Sequence, residues 1–166
     1  QALEEELRNS IRRVGDLLQI SLDQPMRGVI YNTRGEASEA FPNLSTAIDN
    51  EQIFHGFAFS DWNMFTGVGL DADLITHETV HLLLHQATIS ARLGIPSWLN
   101  EGLAEYGNTD PSFAYERALE FAIFNDRLFP IIFLSSFPGT PEDIIIGYGA
   151  ARSIVMFMIN SFGEDK

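Results

Sequence analysis

Three of the four histidines fall in one stretch, Thr76-His-Glu-Thr-Val-His-Leu-Leu-Leu-His-Gln86, at positions 77, 81 and 85. Residues four apart share one face of an α-helix, so neighbouring imidazoles of such a set can close on a single ion. A rise of about 1.5 Å per residue separates His77 and His85 by about 12 Å along the axis, whereas metal–nitrogen bonds are about 2.0–2.1 Å. One ion can therefore be held by His77 and His81, or by His81 and His85, but not by all three. The residues in between favour the first pair. Glu78 lies beside an ion held by 77 and 81, and there its carboxylate can take a proton from a water and pass it to a leaving amine. Only leucines separate 81 from 85, and His85 is read as a helix-face residue touching a second helix or the surface.

Two histidines are one ligand short of a catalytic zinc site, which has three protein ligands and a fourth position open to water. Pro96-Ser-Trp-Leu-Asn-Glu-Gly-Leu-Ala-Glu-Tyr106 supplies the third as Glu101, twenty positions after His81 and past a break at Gly94 and Pro96. Glu105 is one helical turn further on, on the same face. It is placed to accept the other ring N–H of a ligating histidine, His77 being the first choice, which fixes the tautomer and raises the ring's basicity.

His77-Glu78-Thr-Val-His81 together with Trp98-Leu-Asn-Glu101-Gly-Leu-Ala-Glu105-Tyr106 resembles the gluzincins. These include thermolysin-like and aminopeptidase N-like metallopeptidases and compact peptidase MA-like domains. The resemblance is specific over positions 77 to 106, and outside them it is one of element order. It implies a zinc-dependent peptidase with His77, His81 and Glu101 on the metal, Glu78 as general base and Glu105 behind a histidine. It also implies a further group to steady the developing oxyanion. Tyr148 and Arg152, one helical turn apart in Gly147-Tyr-Gly-Ala-Ala-Arg152, are the candidates, and Tyr148 matches the position of a tyrosine in peptidase MA-like domains. Peptide substrates of such enzymes lie antiparallel to an edge strand beside the metal. Gly56, Phe57 and Ala58, in Gly56-Phe-Ala-Phe-Ser60, are the candidates for that strand.

The same region departs from the aminopeptidase N-like pattern. Those enzymes carry Gly-Ala-Met-Glu-Asn, whose Glu grips the free amine, where this chain has Gly-Phe-Ala-Phe-Ser-Asp. Asp61 is the one carboxylate there to substitute. The departure points to an endopeptidase or a narrow substrate. Two other readings stand beside peptidolysis: a metal-binding interaction module without proteolysis, and hydrolysis of a non-peptide amide or ester at the same metal.

The elements that must position these residues follow from periodicity and breakers. Apolar residues at 3, 7, 11, 14, 17 and 18 predict an amphipathic helix over Leu3–Ile20. Gly28–Tyr31 reads as a short buried strand closed by a turn at Asn32–Gly35, and Glu36–Asn50 is ambiguous between irregular chain and a helical turn before Pro42 with a loop after it. Strands are expected over about 56–60 and 63–70, joined near Ser60-Asp61, with His55 structural or at a rim. Asp71 or Asp73 caps a helix reaching about Ala91. A second helix covers Ser97–Gly107. A third starts at Pro111 and runs to about Leu128, with an aromatic spacing that suggests core or a pocket wall. Residues 130 to 141 are loop with a short extended piece, and the last helix covers Pro141–Ser161. Leu82–Leu84 and the run from Ile144 to Phe157 read as core. Strands early and helices late give an α+β class, here a zincin-like one: a small N-terminal sheet with helices, then the metal-binding helix, the Glu101 helix and a helical C-terminal part.

The chain has 166 residues, 45% of them hydrophobic, enough for a single compact domain spanning 1–166. Both ends look cut, so it reads as a fragment of a longer protein. With no cysteine, disulfides, thiolate metal sites and cysteine nucleophiles are excluded. Ten basic against 23 acidic residues leave a net charge of −13, which repels nucleic acid and anionic membranes. The expected partner is a peptide or protein substrate. The densest apolar stretch, Ile144–Phe162, is interrupted by Gly147, Gly149, Arg152 and Asn160, and no membrane insertion is expected. Oligomeric state is not legible, and an extracytoplasmic location is implied only by the habits of the resembling family.

Overall fold

The fold is that of a computed structural model, which describes residues 2–40, 56–89, 94–108, 113–135 and 140–163. They are α+β: mostly helical, with one small sheet. The chain forms two compact units, residues 1–91 and 92–166.

The first unit starts with helix α1 (Ala2–Leu18). It stops where Gln19 takes a positive φ of 54° and the Ile20 N–H closes on the Gly15 carbonyl at 3.0 Å. Strand β1 (Arg27–Tyr31) and helix α2 (Arg34–Ala40) follow. The start of α2 differs from the expected turn, for a reason written locally. Thr33 Oγ1 accepts the Glu36 N–H at 3.2 Å and Glu36 Oε2 accepts the Asn32 N–H at 3.0 Å, the reciprocal bonding that starts a helix. Residues 41–55, including His55, lie outside the described residues.

Strand β2 (Gly56–Phe59), a 3-10 turn (Ser60–Trp62) and strand β3 (Met64–Val68) come next. The strands are shorter than expected because residues 60–62 coil and Asn63 sits in the left-handed region, with φ 47°. The sheet order is β1-β3-β2. β1 runs parallel to β3 and β2 antiparallel to it, with Val29, Thr66 and Phe57 in register. Among the described residues β2 is therefore an edge strand.

Helix α3 (Ala72–Ile89) is capped by Asp71, whose Oδ1 accepts the Asp73 N–H at 2.8 Å and the Leu74 N–H at 3.3 Å. Its apolar side fixes its rotation. Ile75 and Leu82 join Phe65 in a buried cluster backed by Leu3, Leu7, Met26, Ile30 and Ala58. Each such side chain, fully buried, contributes about 1.5–3 kcal/mol. α1 is pinned to α3 by polar contacts as well: Ser10 Oγ lies 3.1 Å from Thr76 Oγ1, and the Arg13 guanidinium donates to the same hydroxyl.

The second unit holds helix α4 (Ser97–Gly107), helix α5 (Phe113–Phe124), a 3-10 segment (Ile131–Ser135) and helix α6 (Pro141–Phe162). α5 ends before the expected Leu128. Asp126 takes a positive φ of 55°, and the Arg127 N–H closes on the Ala122 carbonyl at 2.8 Å. The expected extended piece after Pro130 is helical instead, with the Phe133 N–H on the Pro130 carbonyl at 2.8 Å. The aromatics of α5 are also not the core expected. Among its described side chains only Ala122 is buried, while Phe121, Ile123 and Phe124 are exposed, since their spacing runs round the helix.

Thr140 and Asp143 cap α6 reciprocally, with Pro141 in its first turn. α6 packs on both α4 and α5. At the α4 crossing any side chain at Gly102 would bring its Cβ to 2.6 Å from the Ala151 carbonyl oxygen, so the position needs glycine. Ile146, Ala151 and Val155 are buried, whereas Phe157 and Phe162 are exposed. By length and composition α6 is long and apolar enough to cross a membrane, a test that core helices also pass.

Candidate metal and catalytic site

The rotation of α3 that buries Ile75 and Leu82 sends His77 and His81 to a shared face. Their ring centroids are 4.8 Å apart and the planes meet at 84°. Glu78, next in sequence, is 5% exposed. Its carboxylate lies over the first residue of the edge strand. A Cβ at Gly56 would stand 2.7 Å from Glu78 Oε1 and against Leu74 Cδ1. Glycine at 56 thus makes room for the carboxylate. Gly56 and Ala58 face α3 and the core, so Phe57 and Phe59 point to the opposite face of the sheet.

His85 lies elsewhere. Its Nε2 is 3.7 Å from Asp61 Oδ1, beyond the far end of β2. That pairing also accounts for Asp61. It lies level with His85, two helical turns from His77, rather than at the Gly56 end of β2.

In the second unit, Glu101 and Glu105 occupy successive turns of α4. Its start is fixed by Leu99 and Asn100 N–H groups on the Pro96 carbonyl and by Ser97 Oγ on the Ser135 carbonyl at 2.6 Å. Glu105 is 3% exposed, and its Oε2 accepts from Asn108 Nδ2 at 3.4 Å. Of the two oxyanion candidates, Arg152 is engaged in an ion pair, its Nη1 3.2 Å from Glu116 Oε1 on α5. Tyr148 stacks on Tyr115, with centroids 5.5 Å apart and planes 17° from parallel. Tyr115 was not singled out in the sequence, where it is one of many aromatics in a helical run. Burial, and then the charges of Glu105 and Glu101, push its hydroxyl from the ordinary 10.0 up to about 12.

His77, His81 and Glu101 could together hold a metal ion; His85 is not in that group. Two imidazole nitrogens and a carboxylate oxygen are the donor set of many catalytic zinc sites, and the types fit a borderline divalent ion.

A family model described as the Peptidase MA superfamily matches residues 7–166. Searches of curated proteins and of solved structures returned no match.

Proposed function

Since the chain belongs to the Peptidase MA superfamily and so carries a metallopeptidase-like domain, we propose that it is a zinc-dependent peptidase of the gluzincin type, with a zincin-like fold. The observation that carries the proposal is the combination of residues: a His77-Glu78-x-x-His81 helix, a glutamate at 101 on the next helix, and an intact, buried Glu78 between the histidines. The family match runs through both units, which supports one catalytic domain.

In this reading His77, His81 and Glu101 hold zinc. When bound, zinc lowers the pKa of a water and polarises the scissile carbonyl. Glu78 accepts the water's proton and delivers it to the departing amine. Glu105 orients His77 through its second ring nitrogen. Tyr148 donates to the developing oxyanion, Arg152 being committed to Glu116. A substrate strand adds antiparallel to β2 along Gly56, Phe57 and Ala58, which brings its backbone beside Glu78. The pairing of Asp61 with His85 leaves no carboxylate of the 56–61 segment to grip a free amine near His77, which favours endopeptidase action. A peptide or protein is the substrate, and no nucleic acid partner and no membrane insertion are invoked.

The test is metal stoichiometry beside turnover. One zinc per chain is expected, weakened strongly in His81→Ala and Glu101→Ala and kept in Glu78→Gln, which should lose hydrolysis. Zinc retained at full affinity in His81→Ala and Glu101→Ala would refute the ligand set. Full turnover by Glu78→Gln would refute the base.

A further inference from the structure

β2 carries a row of rings that the hydrolytic chemistry does not use. Phe57 and Phe59 are 4.9 Å apart between centroids, and Phe59 stacks on Trp62 at 5.6 Å with planes 15° from parallel. The row runs from the edge strand into the 3-10 turn, with Phe57 50% and Trp62 68% exposed. It lies on the sheet face opposite to Glu78, because alternate residues of a strand point to opposite faces. Gly56 and Ala58 offer the other face almost no side chain.

We infer that Phe57, backed by Phe59 and Trp62, determines substrate specificity by selecting extended segments with large apolar or aromatic residues at every second position. The inference rests on the reading of β2 as the substrate strand. A strand added to β2, an edge strand among the described residues, continues the alternation of the sheet. Its residues opposite Phe57 and Phe59 arrive on the aromatic face, with Cβ atoms about 4.5–5.5 Å from theirs. Aromatic and β-branched partners gain most from such cross-strand neighbours. The intervening substrate residues face Gly56 and Ala58, where a hydrogen and a methyl group discriminate little by contact. The selected pattern is therefore apolar–any–apolar. Selection acts on the face away from the reacting atoms, so it is a matter of binding and registers in KM more than in kcat.

The experiment separates this from catalysis by using the full chain as Glu78→Gln. Calorimetry compares two synthetic peptides of equal length, one alternating Phe with Thr and one alternating Ser with Thr. The Phe peptide is expected to bind about tenfold more tightly, as two aromatic cross-strand contacts would give. Adding Phe57→Ser, a half-exposed position, should erase the preference. Trp62→Ser, at a more exposed position, should reduce it. Equal affinity for the two peptides, no binding of either, or a preference that survives both substitutions would overturn the inference. Turnover of the same peptides by the zinc-loaded wild type tells the two readings apart. Preferential binding without cleavage removes the peptidase and keeps the role of Phe57; cleavage without preference does the reverse.

Discussion

Replacing Gly102 with alanine tests how α4 holds its carboxylate. The new Cβ would stand 2.6 Å from the Ala151 carbonyl oxygen and 2.7 Å from Val155 Cγ2, whereas ordinary contact begins at 3.4 Å. The Val155 methyl can rotate, but the Ala151 oxygen belongs to the backbone of α6. α4 must therefore back away by about 0.8 Å, an overpacking strain of about 1–3 kcal/mol. The better helix propensity of alanine offsets about 1 kcal/mol of this, which leaves a net loss of about 0–2 kcal/mol. The effect on the metal is sharper. Glu101 is the neighbouring residue, and metal–ligand distances tolerate only about 0.2 Å. Its side-chain torsions recover part of the shift at the expense of ligand geometry. Zinc affinity should fall by about 10–100-fold, the usual range when a ligand's support is disturbed. Competition against a chromophoric chelator gives the affinity, and thermal unfolding of the metal-free chain gives the stability. An alanine variant that binds zinc like the wild type would refute the link between the α4–α6 crossing and Glu101.

Other perturbations act at separate points. Gly56→Ala should displace the Glu78 carboxylate, because its Cβ falls 2.7 Å from Oε1; kcat should drop while zinc stoichiometry stays at wild-type level, as steady-state kinetics and metal analysis would show. Thr140→Ala should cost about 1 kcal/mol in denaturant unfolding by removing the α6 cap. The Thr140 backbone and hydroxyl, and then Arg127, hold the Asp143 carboxyl below its ordinary value. Its contribution is therefore complete above the ordinary carboxylate range and is lost as pH falls through the lowered value. Acid titration of Asp143→Asn should show a shallower loss than the wild type. Tyr115 should ionise at about pH 12 by ultraviolet titration, above the ordinary 10.0. Its folded value is raised, so stability is intact below about pH 10 and falls from there towards 12, and Tyr115→Phe should remove that loss.

The chemistry was more legible than the frame. Four-residue spacing is enough to put His77 and His81 on one face of a helix with Glu78 beside them, and a cap at Asp71 or Asp73 and the Gly94/Pro96 break mark the two helices that carry the candidate residues. The small sheet was read as to existence, but not its order, because the β1-β3-β2 arrangement depends on pairing between distant segments. Thr33-x-x-Glu36 announced α2, and Asp126 ended α5 through a left-handed conformation that aspartate tolerates better than most residues. Of core and pocket wall, the two readings of the α5 aromatics, core fails for Phe121 and Phe124, because residues spaced round a helix cannot all face one neighbour. Tyr115 could not have been chosen from sequence, since only the packing of α5 on α6 brings it to Tyr148. The role of Gly56 was equally hidden. Gly56 reads as one residue of the candidate substrate strand, and only the packing of α3 over β2 shows that its missing side chain makes room for the Glu78 carboxylate.

The most direct test of the account is cleavage of a mixed peptide library by the wild type and by Glu78→Gln, both confirmed to carry zinc. The account predicts cleavage by the wild type alone, at internal bonds. Equal cleavage by both would contradict the role of Glu78, and silence from the zinc-loaded wild type would contradict the peptidase.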